Sequence, residues 1–500
     1  MPMLLLLLLT LACLPIRWPQ PRPWLHPLLG ILLTWGIVLG AILLISALGY
    51  WTRIALRRSP TRRREFMQRM GLWRHIYLFA LFAFFGLSLY AFGWGWVVQG
   101  CLDENTPLGI PLPGSQVLII APFLFGLIGS WFCFYDVERA LHDSLDFSDP
   151  PFWTRWAYMG FHLRNNLALV CVPVLLMVFV NGLPGWLTPV GDTWHFWSAV
   201  AAFAAPFSVL GFMPWVVRLI LGLRPLPEGT LRTRLLATSR RLHFRCTNIL
   251  IWPTRGGIVN AMVVGLFPML RYVVVTDRLA SELSPEEIEA VFGHEVGHVK
   301  HRHMTFYLAF MMVSLAVVTQ LVSRIVESSQ PLRENEHLAV LPLILLVGGY
   351  IFLVFGFVSR RCERQADVYG CRTVSCGRSH CLMHESDEEL LPRARGLCAT
   401  GIQIFISALE KVAYLNGISR DRPGWLQSWQ HSTIARRVAF LESVMADPQQ
   451  EPRFQRHVSR VKWGLFLTMA CLLLTFGSVW GWSSLFGLPT ATAGTAEIRP

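Results

Sequence analysis

Charge is scarce in this chain. Asp, Glu, Lys and Arg make up 15% of the residues against 53% that are hydrophobic, and mean hydropathy is +0.45. That ratio excludes an ordinary water-soluble protein and predicts a mainly α, polytopic helical membrane protein. Acidic residues are the scarcer sign, 31 against 44 Lys and Arg, for a formal net charge of +13. No RNA- or DNA-binding signature accompanies the excess. Basic loops beside anionic lipid headgroups account for it, so the charge points to the lipid bilayer as partner and to no nucleic acid. Cysteine is sparse as well. Eleven are scattered, with Cys13, Cys133, Cys171 and Cys471 in apolar stretches and most others in predicted cytoplasmic segments. That placement argues against a disulfide framework. The predicted spans almost lack Asp, Glu and Lys, whereas a transporter would be expected to carry paired ionisable groups there.

Apolar runs predict eight spans, near residues 28–50, 75–98, 116–135, 167–186, 196–222, 305–326, 339–358 and 463–487. Met3–Leu14 is a ninth candidate, but it is short and has no basic flank in front, so residues 1–15 either span, are removed or lie at the interface. The loop after the first span carries eight arginines between Arg53 and Arg74, while 99–115 has no Lys or Arg and holds Asp103 and Glu104. The basic loop is therefore expected to face the cytoplasm, and alternation puts 223–304 and 359–462 on the same side. The domain reading follows: a transmembrane region 1–222, a cytoplasmic segment 223–304, two spans within 305–358, a second cytoplasmic segment 359–462, a last span 463–487 and a disordered tail 488–500. The absence of eukaryotic retention or lipidation signals favours a bacterial inner membrane.

The chemistry concentrates at Val291-Phe-Gly-His294-Glu295-Val-Gly-His298. Two histidines four apart share a helix face and can grip one zinc ion, with Glu295 beside them to take a proton from water. Ser284-Pro285-Glu286-Glu287 supplies a capping hydroxyl, a proline at the first helical position and a glutamate three residues after the cap, so the helix is expected to start there. Gly297 lets backbone or substrate approach it closely. Gly257–Gly265 and Arg271–Thr276 read as a hairpin, either an edge strand for an extended peptide or a packing element.

A third ligand is needed. Glu363 and Asp367 lie four apart directly after the span ending at Val358, so Glu363 can ligate zinc while Asp367 orients an imidazole. Taken alone, such a pair beside arginines would more often be a salt-bridged surface. Cys371, Cys376, Cys381, His384 and Cys398 are close enough in sequence for a second metal, although their spacing fits no common zinc module. The alternative is an irregular insertion.

These motifs resemble a family of membrane zinc metallopeptidases, the one that includes the CAAX prenyl endopeptidase and HtpX. The resemblance rests on HEVGH, on SRRCERQAD, on Asn260-Ala261-Met-Val-Val-Gly265 and on His431-Ser432-Thr433-Ile434-Ala435-Arg436-Arg437-Val438, and covers about residues 230–445. It implies one Zn2+ at this site held by His294, His298 and Glu363, Glu295 as general base, and Asp367 behind a ligand. It also implies that His431 stabilises the oxyanion, that Arg437 orders the site or holds substrate, and that Asn260 and Ala261 lie on the substrate strand. Ser432 departs from the proline usual in the family. The implied activity is endoproteolysis of a peptide or membrane protein at a cytoplasmic site. A catalytically silent scaffold or a transporter is the alternative, and the oligomeric state is left open.

Overall fold

The computed structural model describes residues 18–20, 25–59, 62–103, 115–143, 152–176, 179, 208–209, 211–335, 337–376, 381, 396–421 and 430–480. The chain separates into two compact units, Met1–Gly222 with Asn335–Val340, and Leu223–Glu334 with Leu341–Pro500. Six helices among the described residues are long and apolar enough to cross a membrane: Pro27–Arg58, Arg69–Tyr90, Val117–Asp143, Arg155–Leu176, His303–Ser328 and Gln450–Val479. The chain is a multi-pass membrane protein.

The first unit holds α1 (Pro27–Arg58), α2 (Arg63–Tyr90), α3 (Trp94–Asp103), α4 (Ala121–Asp143) and α5 (Arg155–His162), the last continued by a π turn at Leu163–Ala168. Leu81, Phe85, Leu89, Ile120 and Phe123 are buried between these helices, and Tyr77 donates to the Gly126 carbonyl at 2.8 Å. Asp136 accepts from Arg155 at 2.6 Å and lies 3.8 Å from Arg53. Such pairing offsets part of the desolvation cost of arginines beside apolar helices.

Hydropathy misplaced several helix ends. The span expected at 75–98 is broken at Gly93, whose φ of 71° no continuing helix allows, so α2 ends at Tyr90 and α3 starts afresh. The span expected from 167 begins at Arg155, because the Thr154 hydroxyl caps the Ala157 N–H at 3.3 Å. Residues 180–207 and 481–487, parts of three expected spans, lie outside the described residues, as do Met3–Leu14 and the tail 488–500.

The second unit opens with β1 (Arg224–Pro225) and α6 (Thr230–Arg241), followed by β2 (Asn248–Trp252), β3 (Ala261–Val264) and β4 (Tyr272–Thr276). The sheet order is β1-β2-β4-β3, with β2 parallel and β3 antiparallel to β4. All five residues of β4 are buried, as a strand with neighbours on both sides requires. The hairpin β3–β4 matches the expectation, and β3 is the edge. Next come α7 (Asp277–Glu282), α8 (Pro285–Lys300), α9 (His303–Ser328), α10 (His337–Tyr350), α11 (Gly356–Thr373), α12 (Ala399–Leu415), α13 (Ile434–Ala446) and α14 (Gln450–Trp480). A π turn at Ile351–Phe355 joins α10 to α11, so the apolar stretch 339–358 runs as helix into the segment that carries Glu363.

Helix α8 is fixed on every side. Ser284 Oγ accepts from the Glu287 N–H at 3.2 Å, and the Glu287 carboxylate accepts from Ser284 N–H at 2.8 Å, completing the capping box. Glu287 also accepts from Ser407 and Lys411 of α12. Glu289, nearly buried, takes Arg234 and Arg241 of α6 at 2.9 and 2.6 Å. Ile288, Phe292 and Val296 bury the apolar face against the sheet core, each contributing about 1.5–3 kcal/mol. Ser284→Ala is expected to cost about 1 kcal/mol, read as a lower thermal midpoint of the detergent-solubilised protein. An unchanged midpoint would remove the cap from this account.

Candidate metal centre

Two helices and one strand make the site. Helices α8 and α11 pack so closely that a Cβ on Gly297 would lie 2.9 Å from Tyr369 Cβ and 3.1 Å from the Ala366 Cα. Of the two reasons for a glycine there, close backbone approach is the one the packing supplies. It brings the face of His294 and His298 onto that of Glu363 and Asp367. The ligating atoms of His294, His298 and Glu363 fall within 4.8 Å of one another. His294 Nε2 and His298 Nε2 are 3.8 and 3.6 Å from the Glu363 carboxylate.

Hydrogen bonds behind the rings decide their tautomers. His294 Nδ1 is 3.0 Å from Asp367 Oδ1, and a carboxylate can only accept, so Nδ1 carries a proton and, in the neutral ring, Nε2 is bare. His298 is set by a longer relay. Gln365 donates through Nε2 to Gln455 at 2.6 Å, leaving its Oε1 to accept from His303 Nε2 at 3.1 Å. His303 Nδ1 is then an acceptor, 3.0 Å from His298 Nδ1, so that nitrogen is protonated and His298 Nε2 is bare too. The two bare nitrogens face each other at 3.2 Å. With both rings neutral the lone pairs repel at that range and a cation between them is held by both, and tetrahedral zinc with Zn–N of about 2.0–2.1 Å sets its nitrogens about 3.3–3.4 Å apart. The residues therefore fit the ion. Sequence reading missed His303 and Gln365. The available signal was a histidine opening an apolar span, where an unpaired polar group is costly.

Charge around the site is concentrated. Burial alone would push Glu363 up, but His431, His294 and Arg437 hold its carboxyl well below the usual range. Asp367, fully buried, is likewise held down by Arg437 and His294 despite burial. Arg437 is itself buried, donates from Nε to Asp367 at 2.9 Å and closes a second contact through Nη2. Its guanidinium is thus spent on ordering Asp367. Burial pushes His298 down to about 4, with His294 adding to the effect. His294 is raised, because the Asp367 carboxylate outweighs burial. Burial and the nearby Glu363 push Glu295 up to about 7, partly offset by His294 and the Val263 N–H.

Glu295 Oε2 accepts from Val263 N–H of β3 at 3.0 Å. Asn260 is paired inward, exchanging bonds with Thr276 at 3.0 Å each. Strand alternation then turns Ala261 outward with Val263. These four, with Met262, line a cavity of about 410 Å³ that also contains Phe405, Leu409, Val412, His431 and Arg437. His431 Nδ1 is 3.0 Å from Glu363 Oε2, while 57% of its side chain is exposed. Ser432 adopts φ 68°, a value the proline ring forbids, so the departure from the family pattern has a conformational counterpart.

Residues 225–440 match the sequence profile of peptidase family M48. A protein named Protease HtpX homolog from Archaeoglobus fulgidus is 28% identical over 200 residues, 37% of this chain and 59% of its own length. A CAAX prenyl protease 1 homolog from Oryza sativa subsp. japonica is 26% identical over 301 residues, 55% of this chain and 67% of its own. The chain thus spans 59% of the archaeal relative. The crystal structure of S. mikatae Ste24p superposes with a TM-score of 0.51 at 16% identity, over 85% of this chain and all of that one. At that identity the likeness shows the fold.

Gly297→Val is expected to wedge α8 from α11 and abolish stoichiometric zinc binding, measured by metal analysis of the purified protein. Wild-type zinc content in that variant would break the link between helix approach and ligand convergence.

Proposed function

Given the peptidase family M48 domain at residues 225–440, we propose that this chain is an integral-membrane zinc metalloendopeptidase. The observation that carries the reading is the pair of imidazole Nε2 atoms 3.2 Å apart and opposed to a buried carboxylate, with a second carboxylate at their open side. His294 Nε2, His298 Nε2 and Glu363 would hold one Zn2+. When bound there, the ion supplies Lewis acidity toward the scissile carbonyl and acidity to a water.

The remaining work falls to the chain itself. Val263 N–H anchors one oxygen of Glu295, leaving the other to take the proton of the attacking water and return it to the departing amine. A carboxyl pushed up toward neutrality by burial is suited to both transfers. His431 keeps Nδ1 on Glu363 and has its second ring nitrogen for the oxyanion. Asp367, held by Arg437, fixes His294, and His303 does the same for His298.

The substrate is an extended peptide. The outward amide and carbonyl of Ala261 and the carbonyl of Val263 offer a strand edge, and the cavity wall beyond is apolar, with Met262, Leu279, Val291 and Met304. A CAAX-type prenylated peptide and a damaged membrane protein are the two substrate classes the reading covers. It places the site on the cytoplasmic face of a bacterial inner membrane crossed by eight spans, or nine with residues 3–14.

Glu295→Gln is expected to lower peptide hydrolysis by about 10²–10⁴-fold with zinc content unchanged, as removal of a general base should. Comparative proteomics of membranes holding wild type or this variant would also name the substrate. Full activity in the variant overturns the base assignment. His303→Ala is expected to weaken zinc by about 10–100-fold in chelator competition, since His298 loses the acceptor that sets its tautomer. Unaltered affinity would show that the relay is idle.

A further inference from the structure

Three thiols meet between the end of α11 and the start of α12. Cys376 follows α11 by three residues, Cys398 is the N-cap of α12, and Cys381 lies between them in sequence. Their Sγ atoms all fall within 4.8 Å of one another. Cys376 and Cys398 are buried, and the cluster shares no residue with the His294 centre. His384, grouped with these cysteines by sequence, lies outside the described residues, and the buried Cys371 is not a member of the triplet.

The backbone around the triplet is arranged to bring the sulfurs together. A Cβ on Gly401 would lie 2.3 Å from Ser375 Oγ and 2.9 Å from the Cys371 carbonyl, so only glycine lets the start of α12 close on the end of α11. Ser375 Oγ donates to that carbonyl at 2.8 Å and accepts from Cys398 N–H at 3.2 Å. Cys398 Sγ accepts from the Gly401 N–H at 3.3 Å, and Cys376 adds a second backbone N–H. N–H groups aimed at a sulfur are the outer support that metal-bound thiolates receive.

We propose that Cys376, Cys381 and Cys398 form a second metal site, three thiolates for one soft cation, zinc in the cell, that staples the end of α11 to the start of α12. One disulfide would use only two of three mutually close sulfurs, whereas a cation uses all of them. Tetrahedral zinc with Zn–S of about 2.3 Å sets its sulfurs about 3.8 Å apart, so the three need contract by no more than about 1 Å. Water can fill the fourth position, and each thiol releases its proton to solvent as the ion enters. The staple acts on the first centre through α12, whose Phe405 stacks on the His294 ring with centroids 5.9 Å apart. The catalytic reading is not required, because the claim concerns sulfur ligation alone.

Cobalt distinguishes the two centres in the full-length, detergent-solubilised protein. The His294 centre contains no sulfur, so a thiolate-to-cobalt charge-transfer band in the near ultraviolet reports only the cysteines. Wild type is expected to take up about two metal ions per chain and to show the band; His298→Ala keeps the band, and Cys376→Ser with Cys398→Ser removes it together with about one metal ion. The wild-type spectrum decides even where a variant fails to fold. Uptake of about one cobalt per chain without the band, a disulfide between two of the three cysteines in protein purified without oxidant, or a band that survives in the double variant would each overturn the proposal.

Discussion

Two imidazole nitrogens, each on a ring whose other nitrogen is held about 3.0 Å from a polar partner, face one another across 3.2 Å. Most of the second unit can be understood as the support this opposition needs. Asp367 fixes one ring and is fixed in turn by buried Arg437. His303, Gln365 and Gln455 fix the other, drawing on α9, α11 and α14. Opposed lone pairs and a buried Glu363 carboxylate are each costly alone, and a cation at their centre offsets both, while the buried Arg437 guanidinium is offset by Asp367. The polar cluster is therefore most simply a cradle.

The sheet supplies the second half of the arrangement. Its central strands bury a continuous apolar run, which leaves β3 at the edge, and one amide of that edge is occupied by Glu295. The same bond that orients the proton acceptor thus registers the strand on which a substrate would lie. A peptide added to the edge would present its carbonyl to the centre because strand pairing fixes its height along β3. Binding and orientation would then be one event, the condition under which positioning contributes most to rate.

Much of the site was legible because it lies in local patterns. Four-residue spacing put His294 with His298 and Glu363 with Asp367, the capping box fixed where α8 starts, and the hairpin showed as two β-rich runs. Long-range partners left weaker traces. Strand β2 pairs parallel to β4 across more than twenty residues, and nothing in its own five residues announces that partner. The relay through His303 and Gln365 joins residues 62 apart. Helix ends were misjudged for a different reason. Hydropathy measures where a helix is apolar, while Gly93 and Thr154 mark where the backbone turns, and the two boundaries need not coincide.

The account rests on a cation shared by His294, His298 and the distant Glu363, and anomalous diffraction at the zinc absorption edge tests that most directly. A peak within about 2.0–2.2 Å of His294 Nε2, His298 Nε2 and a Glu363 oxygen is the predicted result. Density with no anomalous signal among those three groups, in crystals of zinc-replete protein, would contradict it.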